Sequence, residues 1–164
     1  MNNMLSNSRL CVSDEKYTNN SFLLKCYLHI LSSDTYFLHP IGFSYKINND
    51  VVAGNECRYV LFPQLYVPIE EKNDRSMIKL IDAILRLKKK EDFDRFYDEF
   101  KYEDEANNIM QIIDWKKVYS YYGGIEIHKY DTSKEKSDKK EWWIDWEYSG
   151  CLWNSEFFIL AKLD

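Results

Sequence analysis

The spacing of apolar positions changes twice along the chain, and each change predicts a change of element type. Residues 1–20 are polar, with Asn, Ser and Asp prominent and a short strand-like run from Arg9 to Val12. They read as a loosely ordered N-terminal arm ahead of a single domain over 21–164. Ser21 to Ser32 (SFLLKCYLHILS) is apolar at nearly every position. It fits a buried strand better than a long helix, although period alone does not separate the two. Tyr36 to Ile47 mixes aromatic and β-branched residues around a break at Pro40 and Gly42, and Asn48-Asn49-Asp50 is a turn cluster. Arg58 to Val67 (RYVLFPQLYV) is strand-like, with Pro63 demoting it to an edge or splitting it in two. The N-terminal third thus predicts a β-meander.

In the middle the period becomes helical. Asn73 or Asp74 is a candidate cap for a helix reaching Lys89, with Met77, Ile78, Ile81, Ile84, Leu85 and Leu87 as its apolar stripe and Lys88-Lys89-Lys90 complementing its C-terminal dipole. Asp92 is the expected cap of a second helix, in which Phe93, Phe96, Tyr97 and Phe100 share one face. A third starts near Asp104 and carries Ile109, Met110, Ile112 and Ile113; Asp114 restarts it as a short turn through Trp115, Val118 and Tyr119, and Gly123-Gly124 ends it. Strand patterning then returns. Ile125 to Tyr130 (IEIHKY) alternates, residues 131–140 form a charged loop, Trp142 to Tyr148 (WWIDWEY) reads as a strand with Ser149-Gly150 as its turn, and Phe157 to Leu163 is a final strand or short helix. The order predicts an α+β domain: an antiparallel β-sheet with two to four helices inserted between an N-terminal β-meander and a C-terminal aromatic-rich hairpin.

At 164 residues the chain is long enough for one self-sufficient core. Composition changes this picture in two respects. Aromatic residues make up 16% of the chain, more than a core of this size requires, and large rings also serve interfaces. The net charge of −5 weighs against binding to nucleic acid or to an anionic membrane and suits a protein that covers a basic partner. No N-terminal secretion signal or stretch of membrane-spanning length is evident, so the expected compartment is the cytoplasm, with Cys11, Cys26, Cys57 and Cys151 as free thiols.

Candidate chemistry is sparse. The three histidines, His29, His39 and His128, have no metal-ligand spacing, no two cysteines form C-x-x-C, and Gly123-Gly124 lacks a phosphate-loop pattern; no metal or cofactor is expected. Cys151, following Gly150, is a conceivable nucleophile with His128 as base and Asp145 or Glu126 orienting it, although a buried structural cysteine fits the sequence better. Two segments carry the binding expectation. Glu91 to Glu105 holds eight acidic residues against two basic ones, with aromatics at helical spacing, and Asp94, Asp98, Glu99, Glu103 and Asp104 are its candidate contacts. The block Trp142 to Asn154 holds four of the five tryptophans; Trp143, Asp145 and Glu147 share one strand face, and Trp153 follows. In both, the competing reading is a solvated charged face over ordinary core aromatics. The function expected on this basis is a small acidic protein-binding inhibitor. An immunity protein that neutralises a bacterial toxin is its most concrete form and a phage inhibitor of host defence the next. A cysteine-dependent hydrolase or transferase is one alternative, and a small-molecule or nucleotide-signal binding protein another.

Overall fold

The computed structural model describes residues 9–13, 40–47, 57–63, 65–69, 79–102, 113–128, 148–154 and 158–163. Among them, eight strands form one sheet: β1 (Arg9–Ser13), β2 (Phe43–Ile47), β3 (Cys57–Pro63), β4 (Tyr66–Pro68), β5 (Leu80–Leu87), β6 (Tyr122–Ile127), β7 (Ser149–Leu152) and β8 (Phe158–Lys162). Their order is β4-β5-β6-β7-β2-β1-β3-β8. Two helices, α1 (Lys90–Phe100) and α2 (Trp115–Tyr121), lie between β5 and β6 in sequence. The class is α+β-like, but the sheet is mixed. β4, β5 and β6 run parallel to their neighbours in that trio, and the remaining pairs are antiparallel. Parallel neighbours need a crossover connection, and α1 with α2 supplies it between β5 and β6.

The largest departure from expectation is β5. Residues 80–87 (LIDAILRL) carry the stripe that predicted a helix ending at Lys89, yet they form a strand between β4 and β6. A strand covered on both faces reads as a continuous apolar run, and Ala83, Ile84 and Leu85 are consecutive and buried. Leu85 and Leu87 join the core under the helices, while Ile84 joins the core of the opposite face. Ser149 and Gly150, expected as a turn, belong to β7. The expected run Arg58 to Val67 splits into β3 and β4, one of the two outcomes that Pro63 suggested. β1 is flanked on both sides, by β2 and β3. The expected strand at 21–32, all of the expected strand at 142–148 but Tyr148, and most of the third helix lie outside the described residues.

Each helix has a legible start. The Asp92 carboxylate sits in the first turn of α1, not before it, and accepts from the backbone N–H groups of Lys88 and Lys89, both at 3.0 Å. Asp114 caps α2 by accepting from the Lys117 N–H at 3.2 Å. The aromatic side of α1 is fully buried through Phe93, Phe96 and Phe100, which pack with Trp115, Val118 and Tyr119 of α2 over Leu85, Leu87, Ile125 and Ile127. The Lys117 ammonium ties α2 back to α1 through Glu99, at 2.8 Å to its carbonyl and 3.4 Å to its carboxylate.

The other face of the sheet is concave. Strands β4 and β1 are five places apart, roughly 24 Å in a flat sheet. The Arg9 guanidinium of β1 nevertheless lies 5.1 Å from the ring centroid of Tyr66 on β4. Strands β8 and β6 are also five places apart, and the Phe158 ring of β8 reaches within 3.2 Å of where a Cβ on Gly123 would stand. The sheet therefore curls around a second core of Cys11, Phe43, Tyr45, Tyr59, Leu61, Ile84, Leu152 and Phe158.

Candidate functional site

A cluster of charged and phenolic groups sits on the concave face. At its centre is Glu126, the one fully buried charged residue among the described residues. It lies on β6, whose six residues are all buried, and points away from Ile125 and Ile127, which face the helices. One carboxylate oxygen accepts from the Tyr45 hydroxyl at 3.0 Å. The other faces three donors: His128 Nε2 at 3.3 Å, Arg9 Nε at 3.5 Å and Arg86 Nε at 3.7 Å.

Sheet register explains how these groups meet. Arg86 of β5 pairs with Glu126 of β6, Glu126 with Gly150 of β7, and Gly150 with Tyr45 of β2. The row reaches from a guanidinium across a carboxylate and a bare glycine to a tyrosine. Gly150 leaves room for the Tyr45 ring to lie across β7; a Cβ there would stand 2.2 Å from the ring and 2.4 Å from its hydroxyl oxygen. Tyr66 completes the cluster from β4. Its ring carries the Arg86 guanidinium 4.1 Å from its centroid and the Arg9 guanidinium at 5.1 Å on the far side of the curled sheet. Tyr148, at φ 51° just before β7, places an exposed ring edge-on to His128, with centroids 6.4 Å apart.

The electrostatics are those of a buried anion with too many suitors. Burial, and then the Glu126 charge, hold the Tyr45 and Tyr66 phenols and the Cys11 thiol well above their ordinary values. Arg9 Nε, Arg86 Nε and the Tyr66 hydroxyl are buried atoms with no hydrogen-bond partner among the described residues. The guanidinium-to-carboxylate separations are ion-pair distances, longer than the roughly 2.7–2.9 Å of a well-formed charge-assisted bond.

The alternative pairing of Cys151 as nucleophile with His128 as base does not form. Cys151 lies opposite Ile125 in the register and packs with the core under the helices, whereas His128 turns to Glu126 on the concave face. Cys151 Sγ is buried between the Ser44 hydroxyl at 3.8 Å and the Pro40 carbonyl at 3.9 Å, and burial pushes its thiol up to about 12. It is a core residue. The expected orientation of His128 by Glu126 is present, at 3.3 Å. Among the described residues, no group of three His, Cys, Asp or Glu side chains is arranged to hold a metal, and no helix is long and apolar enough to cross a membrane.

Of the expected partner contacts, Trp153 is corrected to core. It is 1% exposed, stacks on Tyr119 at 4.4 Å between centroids, and donates from Nε1 to the Tyr122 carbonyl at 2.5 Å. Asp98 is exposed on α1; Asp94 is half-buried and pairs with Lys90 at 3.2 Å, and Glu99 pairs with Lys117. Glu103, Asp104, Trp143, Asp145 and Glu147 lie outside the described residues. Sequence reasoning missed Arg9, Arg86, Tyr45 and Tyr66 as one group. The available signal was Glu126 itself, an acidic residue inside the run GGIEI, where a strand covered on both faces has no place for a charge without partners. Compared with protein-family models, with curated proteins and with solved structures, the chain matches none.

Proposed function

We propose that this protein is a non-catalytic inhibitor that neutralises another protein by covering a basic site, in the manner of an immunity protein directed at a toxin or of a phage protein that blocks a host defence. The observation that supports it most is the division of α1 into two sides. Phe93, Phe96 and Phe100 anchor the helix in the core, while Glu91 and Asp98 are exposed and Asp94 and Glu99 half-buried on the remaining surface. A helix held this firmly presents its carboxylates in a fixed arrangement. The exposed Glu91 and Asp98 carboxylates would steer encounter with a basic partner and add less to affinity once contact is made. The net charge of −5 acts in the same sense. The competing cysteine-enzyme reading loses its nucleophile and base to opposite faces of the sheet.

The test is affinity capture from the native host by the wild type and by a Glu91→Lys/Asp98→Lys double variant, with retained proteins identified by mass spectrometry. The expected result is a basic protein retained by the wild type, with association slowed roughly tenfold in the variant and a steep loss of rate as salt rises. Equal capture and equal rates for the two proteins, or no retained protein at all, would defeat the proposal.

A further inference from the structure

The concave-face cluster is independent of α1 and has no part in the function proposed above. Its charge does not balance internally. Arg9 and Arg86 bring two positive charges to one carboxylate, so among the described residues one guanidinium is left without a counter-charge, and His128 adds a further donor at the same oxygen. Neither arginine is within ion-pair distance of another carboxylate among the described residues. Both guanidinium carbons lie over the Tyr66 ring, Arg86 at 4.1 Å and Arg9 at 5.1 Å from its centroid, which places two like charges near each other, an arrangement that an anion relieves. The incomplete pairing is visible atom by atom: Arg9 Nε, Arg86 Nε and Tyr66 Oη are buried without a hydrogen-bond partner among the described residues. The arginines are not sealed away, since their side chains are 28% and 22% exposed.

We propose that Arg9, Arg86 and His128, arranged around Glu126 on the concave face of the sheet, bind the phosphate of a small aromatic phosphomonoester of the nucleoside monophosphate class. Two guanidiniums each offer a planar fork of donors, and a phosphate group has enough acceptor oxygens to meet both forks at once, whereas a carboxylate fills a single fork. Glu126 is the internal counter-ion that holds the two arginines in place before the ligand arrives. Tyr45, reaching over Gly150, fixes the Glu126 carboxylate through the other oxygen. The aromatic part of the ligand has a matching surface in Tyr148, 48% exposed beside His128, on which a planar ring stacks.

The test is titration of the full chain by calorimetry and by phosphorus NMR with inorganic phosphate, adenosine 5′-monophosphate, adenosine and acetate. Phosphate and the monophosphate are expected to bind at one site, the monophosphate more tightly; adenosine and acetate are expected to bind at least about tenfold more weakly than the monophosphate. Arg86→Met and Arg9→Met should each weaken both phosphate ligands about tenfold, whereas Lys46→Met, which removes an exposed charge on the opposite face of β2, should change neither. Tyr148→Ala should weaken the monophosphate and leave inorganic phosphate unchanged. Where Arg86→Met fails to fold, Arg86→Lys keeps the charge and removes the fork, and is expected to show the same loss. Absence of saturable phosphate binding in the wild type, unchanged binding in the arginine variants, or acetate binding as tightly as phosphate would each overturn the proposal.

Discussion

At the scale of single residues, Gly150 and Cys151 show how adjacent positions on one strand serve opposite faces. Gly150 is glycine because the Tyr45 ring occupies the space its side chain would fill. Gly150→Ala must displace that ring and its hydrogen bond to the buried Glu126 carboxylate. Overpacking of this kind together with a lost partner predicts a loss of about 2–4 kcal/mol, read from the urea midpoint of unfolding. Cys151 faces the helix-side core, where burial raises its thiol from an ordinary value of 9.0 to about 12. The sign of the pH effect follows. The folded state holds the proton after the unfolded state has released it, so this group's contribution to stability is complete below about pH 9 and falls as pH rises towards about 12. Unfolding midpoints measured between about pH 7 and about pH 10.5 should therefore decline with pH, and the decline should be shallower in Cys151→Ala. An unchanged slope in that variant would mean that another group carries the effect; Cys11 is the first candidate, because burial and Glu126 raise it in the same direction.

At the scale of elements, α1 was legible because its Phe93, Phe96 and Phe100 recur at helical spacing and the helix carries acidic residues in its first turn. α2 was legible through Asp114. Its side chain accepts from the Lys117 N–H, and Asp114→Ala should cost about 1 kcal/mol, measured by thermal or urea unfolding. Strands β1, β3 and β6 were legible within a few residues for the complementary reason, a two-residue alternation of apolar and polar positions or a β-branched and aromatic run, while β8 was left open between a strand and a short helix. β5 was not. Its periodicity satisfies a helical stripe, and only the neighbours on both sides and both faces make it a strand. Such a run is ambiguous by period, because burial all round removes the polar positions that would mark a period of two. β7 was misread for a related reason: Ser-Gly is a turn signal in isolation, but here its glycine makes room for a ring from the next strand.

At the scale of the whole molecule, the curl of the sheet decides what the protein presents. Flat, it would hold Arg9 and Tyr66 far apart; curled, it stacks one on the other and brings Phe158 of one edge strand against Gly123 near the middle. The concave cluster thus draws on β1, β2, β4, β5 and β6, which are scattered over more than a hundred residues of sequence. No local spacing announces such a site, which is why Glu126 and His128 were visible as neighbours at i and i+2 while Arg9, Arg86, Tyr45 and Tyr66 were not. What the sequence determined by itself was local: an α+β class, the aromatic side of α1, the Asp114 cap, and several strands, because period, capping and turn chemistry act over a few residues. The tertiary structure alone decided that β5 is a strand, that the sheet is mixed, that Cys151 and His128 face opposite ways, and that two arginines share one buried carboxylate. Those outcomes depend on register and curvature, which arise only when distant strands pair and bury each other's faces.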